Sequence, residues 1–166
     1  DFAGGVTIWS GFGADQITVG GSAFRDGLRT VTTLNTGLGD DTVTLTLTAG
    51  QDDFFVLNTQ GAYHNQSTAS DNDNVDASAS TLPLIIFGGQ GNDDLTGGAA
   101  DDIIFGDRGA VYYYNDEDAG VQVVELVTFF GNGGPGDRTD GGLRSEDLII
   151  SVDPLLGGED TMLNGM

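Results

Sequence analysis

The sequence predicts an all-β chain organised by repeated glycine–acid turns, and three observations carry that reading. Thr42–Thr48 alternates with period two, placing Val43, Leu45 and Leu47 on one face and threonines on the other. Glycine accounts for 28 of 166 residues, more than twice the roughly 7 % usual in proteins, which implies many tight turns with positive φ. No stretch sustains a 3.6-residue apolar period, the signature of an amphipathic helix.

The remaining strands follow in order. Val6–Trp9, Ile17–Val19, Phe54–Leu57, Leu82–Phe87 and Asp147–Val152 are short β-rich runs bounded by Gly, Asp or Asn. Val111–Phe130 reads as two strands around an Asn-Asp-Glu-Asp-Ala-Gly turn, a hairpin, and Gly131–Gly142 as a loop. The expected organisation is thus a repetitive region over residues 1–110, a hairpin and glycine-rich loop over 111–146, and a last turn over 147–166.

Composition narrows the partners. Five lysines and arginines stand against 26 acidic residues, a formal charge of −21. Nucleic acid is excluded as a partner because phosphate binding needs clustered cations, and anionic membrane surfaces are disfavoured for the same reason. No apolar run is long enough to insert in a bilayer. The absence of cysteine removes disulfides, thiolate metal sites and thiol catalysis. Such a charge suits multivalent cations.

Repetition decides the rest. Glycine–acid–aliphatic order recurs at Ser10–Thr18 (SGFGADQIT), Thr36–Thr44 (TGLGDDTVT), Gly88–Thr96 (GGQGNDDLT) and, without a gap, Gly97–Phe105 (GGAADDIIF). Weaker copies lie at Thr48–Val56, Ser70–Ser78 and Gly157–Gly165. These segments resemble the G-G-x-G-x-D-x-U-x nonapeptides of the RTX (repeats-in-toxin), or haemolysin-type calcium-binding, family found in large secreted bacterial adhesin-like proteins. Gly88–Thr96 fits every defined position, whereas Gly97–Phe105 carries Ala100 in place of the fourth glycine. The resemblance spans about half the chain. It implies a right-handed parallel β-roll or β-helix, here with irregular turns and one inserted hairpin, together with secretion to the cell surface or beyond.

The spacing also has a physical reading of its own. Successive turns of a parallel solenoid lie about 4.8 Å apart, so an acid at the same place in each turn forms a column of like charges that needs neutralising. Calcium takes about six to eight oxygen ligands, carboxylates and carbonyls among them. Asp15, Asp41, Asp52, Asp73, Asp93, Asp102, Asp107 and Asp160 are the expected side-chain ligands. The turns Gly11–Gly13, Gly37–Gly39 and Gly88–Gly91, with Gly89 among them, would offer carbonyls. Several structural calcium ions are expected. Magnesium favours small, water-rich octahedral shells, and zinc and copper lack ligands in a chain with one histidine and no cysteine. An exposed Asp-Gly turn of the ordinary kind is the competing explanation for any single copy.

Other features read more plainly. His64 lies in a polar insert without an evident nucleophile or orienting acid. Asn65-Gln66-Ser67 is a glycosylation triplet. Asp52/Asp53 would serve glycoside cleavage only within a cleft. The threonine row would suit ice binding only if repeated on neighbouring strands. Tyr112, Tyr113, Tyr114, Phe129 and Phe130 are expected to cover one side of the solenoid. Both termini read as mid-motif, which suggests one period of a tandem array or a protomer stacking end to end on copies of itself.

The function expected is therefore non-enzymatic: a calcium-stabilised segment of a giant surface protein or extracellular filament. The alternatives are a calcium-binding accessory module of a secreted enzyme or toxin, told apart by its flanking sequence, and a carbohydrate-binding solenoid, which needs an exposed aromatic row.

Overall fold

The structure, a computed structural model, describes residues 6–22, 32–48, 54–60, 71–115, 123–129, 148–152 and 157–164. Thirteen strands and no helix occur among the described residues: β1 (Val6–Phe12), β2 (Gln16–Ser22), β3 (Thr32–Leu38), β4 (Thr42–Thr48), β5 (Phe55–Asn58), β6 (Asn74–Asp76), β7 (Leu84–Phe87), β8 (Asp94–Thr96), β9 (Ile103–Phe105), β10 (Gly109–Asn115), β11 (Val123–Phe129), β12 (Leu148–Ser151) and β13 (Thr161–Leu163). The all-β expectation holds.

Strands alternate between two parallel sheets as the chain advances. One sheet runs β1-β3-β5-β7-β9 and the other β2-β4-β6-β8-β13. Pairing is parallel throughout, and its register is continuous: Ile8 faces Leu34, Leu34 faces Leu57, Leu57 faces Ile86 and Ile86 faces Ile104. In the second sheet Ile17, Val43, Val75, Leu95 and Met162 form the matching row. This topology is compatible with a β-helix or roll.

The period-two pattern explains why both sheets feed one core. Val43, Leu45 and Leu47 of β4 are buried while Thr42, Thr46 and Thr48 are exposed. Leu34, Phe55, Leu57, Leu84 and Ile86 from the first sheet pack in one cluster with Val43, Leu45, Val75 and Leu95 from the second. Because near-continuous apolar strands of parallel sheets need cover on both faces, the outer face of the first sheet has its own cluster. Phe54, Val56, Ile85 and Phe87 pack there against Val111 of β10. The Phe87 and Phe105 rings stack with centroids 4.9 Å apart and planes 6° from parallel.

β10 and β11 pair antiparallel, as the hairpin expected over Val111–Phe130 requires. β12 adds to the other edge of β10, also antiparallel. Of the segment assigned to a last turn at 147–166, β12 therefore joins the antiparallel sheet and β13 alone pairs with β8. Of the aromatics expected to cover one side, Tyr112 is half-buried, and the buried contact is its neighbour Val111. Phe130, His64, Asn65, Asp52 and Asp53 lie outside the described residues.

The shared core makes a direct prediction. Leu57 is fully buried between the sheets, so Leu57→Ala should destabilise the protein by about 2–5 kcal/mol. Urea unfolding of the two proteins measures it, and a loss below about 1 kcal/mol would show that the sheets do not share a packed interior.

Candidate metal centre

Asp15, Asp41, Asp73, Asp93 and Asp160 each stand one residue before a strand of the second sheet: β2, β4, β6, β8 and β13 respectively. Parallel register therefore brings them into a single column. The main-chain N–H of Asp15 donates to Asp41 Oδ1 at 2.8 Å, that of Asp41 to Asp73 Oδ1 at 2.8 Å, that of Asp73 to Asp93 Oδ1 at 2.8 Å, and that of Asp93 to Asp160 Oδ1 at 3.0 Å. Each aspartate carbonyl accepts from the strand that follows: Asp15, Asp41, Asp73 and Asp93 from the N–H of Thr42, Asn74, Asp94 and Thr161. Five of the expected ligands are thus gathered although they lie up to 67 residues from their neighbours in the column.

In Asp41, Asp73, Asp93 and Asp160 it is Oδ1 that takes a main-chain N–H. Oδ2 of Asp15, Asp41, Asp73 and Asp93 is buried without a hydrogen-bond partner, as is Oδ2 of Asp71. The hydroxyls of Thr36 and Thr59 lie beside Asp41 and Asp73, whose carboxyls they lower in part, and they also reach main-chain carbonyls, Thr36 Oγ1 that of Thr59 and Thr59 Oγ1 that of Gly88. Farther along the column Gly88 and Gly106 leave room at the same place, where a Cβ would press on Asp93 Oδ2 and Asp160 Oδ2.

Burial dominates the electrostatics of this column. Desolvation pushes Asp73 up to about 9 and Asp93 up to about 7, with the N–H of the preceding aspartate offsetting only part. It raises Asp71 to about 6 and raises Asp41 and Asp160 above the ordinary carboxylate range. Neighbouring carboxylates add to the rise in each case. A carboxylate that is both desolvated and flanked by like charge favours either a proton or a cation.

The glycines shape the turn around the column. Gly11, Gly13, Gly37, Gly39, Gly89 and Gly91 all have positive φ. At Gly37 and Gly39 a side chain is excluded twice over, since a Cβ would run into the carbonyl oxygens of Gly11 and Gly13 on the neighbouring turn.

Two expected ligands sit elsewhere. Asp102 precedes β9 of the first sheet, on the opposite turn from the column, and both its oxygens are taken: Leu84 N–H donates to Oδ1 at 2.9 Å and Gly98 N–H to Oδ2 at 2.6 Å. The copy Gly97–Phe105 has the motif's residues but leads into the other sheet, which makes Asp102 a turn-stabilising acceptor. Asp107 lies on the same side as the column, and its Oδ1 accepts the Gly158 N–H at 3.0 Å. Asp52 falls outside the described residues.

Several participants were missed from the sequence. Asp71 occupies the place of a motif glycine, because a Cβ at Gly91 would meet the Asp71 carbonyl. Its Oδ1 accepts the Gly39 N–H at 2.8 Å. The weak copies Ser70–Ser78 and Gly157–Gly165 are therefore two residues out of register, since Val75 and Met162 pair with Leu95. A second, exposed column runs with the reverse polarity: Asn72 N–H donates to Asp40 Oδ1, Asn92 N–H to Asn72 Oδ1 and Glu159 N–H to Asn92 Oδ1. The repeat Leu34-Asn35-Thr36 and Leu57-Asn58-Thr59 was the available signal for a third: Asn58 Nδ2 donates to Asn35 Oδ1 at 3.0 Å. Arg108 is buried, and its Nε donates to Gln60 Oε1 at 2.8 Å.

Among the described residues, no three acidic or histidine side chains converge on one point. The carboxylates are filed in a line, so any cation here would take carboxylates from adjacent turns together with carbonyl or amide oxygens. In comparison with known proteins, no family model matches the chain, and neither a curated protein nor a solved structure is significantly similar to it.

The pH dependence follows from the raised values. A carboxylate whose folded value lies above its unfolded one favours the folded state when protonated, and this contribution disappears as pH rises from the unfolded to the folded value. For Asp71, Asp93 and Asp73 those windows run from 3.8 to about 6, about 7 and about 9. The metal-free protein should therefore melt at progressively lower temperature as pH increases from 5 to 9, in thermal scans with chelator present. A melting temperature rising over that interval would contradict the buried column.

Proposed function

We propose that the chain is a structural, non-enzymatic module: a right-handed parallel β-solenoid stabilised by calcium along the aspartate column, forming part of a secreted or surface-exposed bacterial repeat protein or filament. The observation that carries this reading is the row of buried Oδ2 atoms without hydrogen-bond partners at Asp15, Asp41, Asp73 and Asp93. Leaving a buried charge uncompensated is costly, and the donor set here is oxygen alone, which suits a hard cation such as calcium. Bound calcium would supply positive charge to adjacent carboxylates.

The alternation of strands between two parallel sheets around one core supports a solenoid. The nonapeptide resemblance supplies the handedness, the calcium preference and the secreted setting. Asp41, Asp71, Asp73, Asp93 and Asp160 would hold the ions, and the chain's own N–H groups keep each Oδ1 in place. Folding and ion binding are then linked, because ligands ordered only in the folded chain turn binding free energy into stability. A net charge of −21 strengthens that linkage through self-repulsion of the ion-free state.

Two substitutions at one position test the reading. Asp73→Asn keeps an oxygen for the Asp41 N–H while removing the desolvated charge. It should raise the melting temperature in EGTA and shrink the further rise produced by millimolar calcium. Asp73→Ala removes the acceptor as well, leaving a buried N–H that costs about 1–3 kcal/mol. For the unaltered protein, EGTA should lower the melting temperature markedly or unfold the chain. Identical melting curves in calcium and in EGTA would refute calcium as the stabilising ion.

A further inference from the structure

The turn entering β6 departs from its neighbours at both places where they carry glycine. Thr36, Thr59 and Gly88 stand in one row, the Thr36 hydroxyl reaching the Thr59 carbonyl and the Thr59 hydroxyl that of Gly88. The next residues are Gly37, Gln60 and Gly89, and a Cβ at Gly89 would run into the Gln60 side chain. Gln60 thus takes the place of a glycine. Asp71 takes another, between Gly39, whose N–H it accepts, and Gly91, where a Cβ would meet its carbonyl. Both side chains are buried, Gln60 at 1 % and Asp71 at 2 % exposure.

An arginine meets them there. Arg108 is the only basic residue among the described residues, and it is 2 % exposed. Its Nε donates to Gln60 Oε1 at 2.8 Å. Its charge pulls the Asp71 carboxyl down, against desolvation and the charges of Asp41 and Asp40. The side chain reaches Gln60 past Gly89, whose N–H donates at 3.0 Å to the carbonyl of Gly106, on the turn that precedes Arg108. A Cβ at Gly89 would lie 3.1 Å from Gln60 Oε1, the atom that Arg108 uses. The main chain at Arg108 is fixed as well. Its carbonyl accepts the Val152 N–H at 3.0 Å, and the Gly109 that follows leaves no room for a Cβ beside the Phe105 ring.

Together these three side chains have the chemistry of a cation site filled from within. A guanidinium stays charged at any pH the protein meets, so its burial requires a compensating anion. Asp71 provides one. Its Oδ1 accepts the Gly39 N–H, and its Oδ2 is buried without a hydrogen-bond partner. Gln60 adds a neutral oxygen, a kind of ligand that calcium also takes. In the turns entering β2, β4 and β8 the corresponding places are Gly11 and Gly13, Gly37 and Gly39, and Gly89 and Gly91.

We propose that Arg108 is the resident cation of the turn entering β6: its guanidinium, bonded to Gln60 beside Asp71, supplies from within the chain positive charge that the glycine turns take from calcium. The comparison with calcium rests on the function proposed above; the pairing of Arg108 with Asp71 does not.

Thermal melting in EGTA at pH 7.5 compares the unaltered protein with Arg108→Gln, Asp71→Asn and the double variant. Glutamine keeps an amide for Gln60, and asparagine keeps an acceptor for the Gly39 N–H, so each change removes charge and little else. Arg108→Gln should lower the melting temperature by about 6 °C or more, since removing one partner of a buried pair leaves the other uncompensated. In the Asp71→Asn background the same change should cost less than half as much, whereas equal losses in both backgrounds would overturn the pairing. Arg108→Lys restores the charge without the guanidinium and should recover most of the loss. A lysine variant no better than the glutamine one would make Arg108 a packing residue and sink the proposal.

Should Arg108→Gln fail to fold, the double variant decides, because it leaves no buried charge unpaired at this turn: it should fold, and its failure counts against the pairing. Should EGTA unfold the unaltered chain, the same comparison is read from the calcium concentration that folds half of each protein. Arg108→Gln should raise that concentration, and by less in the Asp71→Asn background; an equal rise in both overturns the pairing. Native mass spectrometry in calcium then counts ions. Arg108→Gln should carry one calcium more than the unaltered protein, and an equal or lower count on two calcium-loaded proteins overturns the replacement. No calcium on either protein would refute the calcium reading of the column, while the melting comparison in EGTA still decides whether Arg108 is the cation that Asp71 needs.

Discussion

The donation of each column aspartate's N–H to the next aspartate's Oδ1 is the contact on which the rest of the architecture depends. It occurs four times in succession between turns that the sequence separates by 26, 32, 20 and 67 residues. Each contact fixes the register of the strand that follows, because the aspartate sits immediately before it. A slip of one residue would turn Val43, Val75 and Leu95 out of the core and bring threonine, asparagine or aspartate in. The same contact brings a row of carboxylates together in a region that water barely reaches, with Asp41, Asp73 and Asp93 at most 2 % exposed. Structural order and electrostatic tension thus have one origin.

The neighbouring columns limit that tension. In the exposed column the middle places are Asn72 and Asn92, with charges only at Asp40 and Glu159. An amide accepts the same N–H as a carboxylate without adding charge. On the far side of the turn Asn35 and Asn58 bond to one another inside the protein. Buried carboxylates are therefore concentrated along the aspartate column and at Asp71, where the glycines and small hydroxyls leave space. Arg108 adds a buried cation that lowers the Asp71 carboxyl, although desolvation outweighs it.

Much of the fold was legible because it depends on local pattern. The alternation of Thr42–Thr48 foretold which side chains β4 buries, and Gly88–Thr96 foretold a turn with Asp93 at its end. What the sequence hid depends on pairing between distant strands. Asp71 replaces a glycine, so its turn looks like a polar loop until the register with Gly91 is known. Asp102 carries the motif's residues but enters the other sheet, where two N–H groups occupy its oxygens. A nonapeptide specifies a turn followed by a strand; it does not specify which of two sheets that strand joins. The hairpin was readable from its strands, whereas β12 was not separable from the last turn because an apolar run carries no mark of its partner.

Unequal spacing along the chain and equal spacing along the column are reconciled by where the extra residues leave the stack. Between Asp93 and Asp160 the chain forms β9, then the antiparallel sheet of β10, β11 and β12, and then returns as β13 to pair with β8. That excursion costs the column nothing, because β13 resumes in register with Asp160 Oδ1 on Asp93 N–H. It also contributes Val111 to the outer cluster beside Phe87, so the insertion covers a sheet face that would otherwise be apolar and bare. The ends differ from the sides in this respect. A side face can be covered by an insert from any turn, but an end needs an element that continues two sheets, a core and a polar column at once.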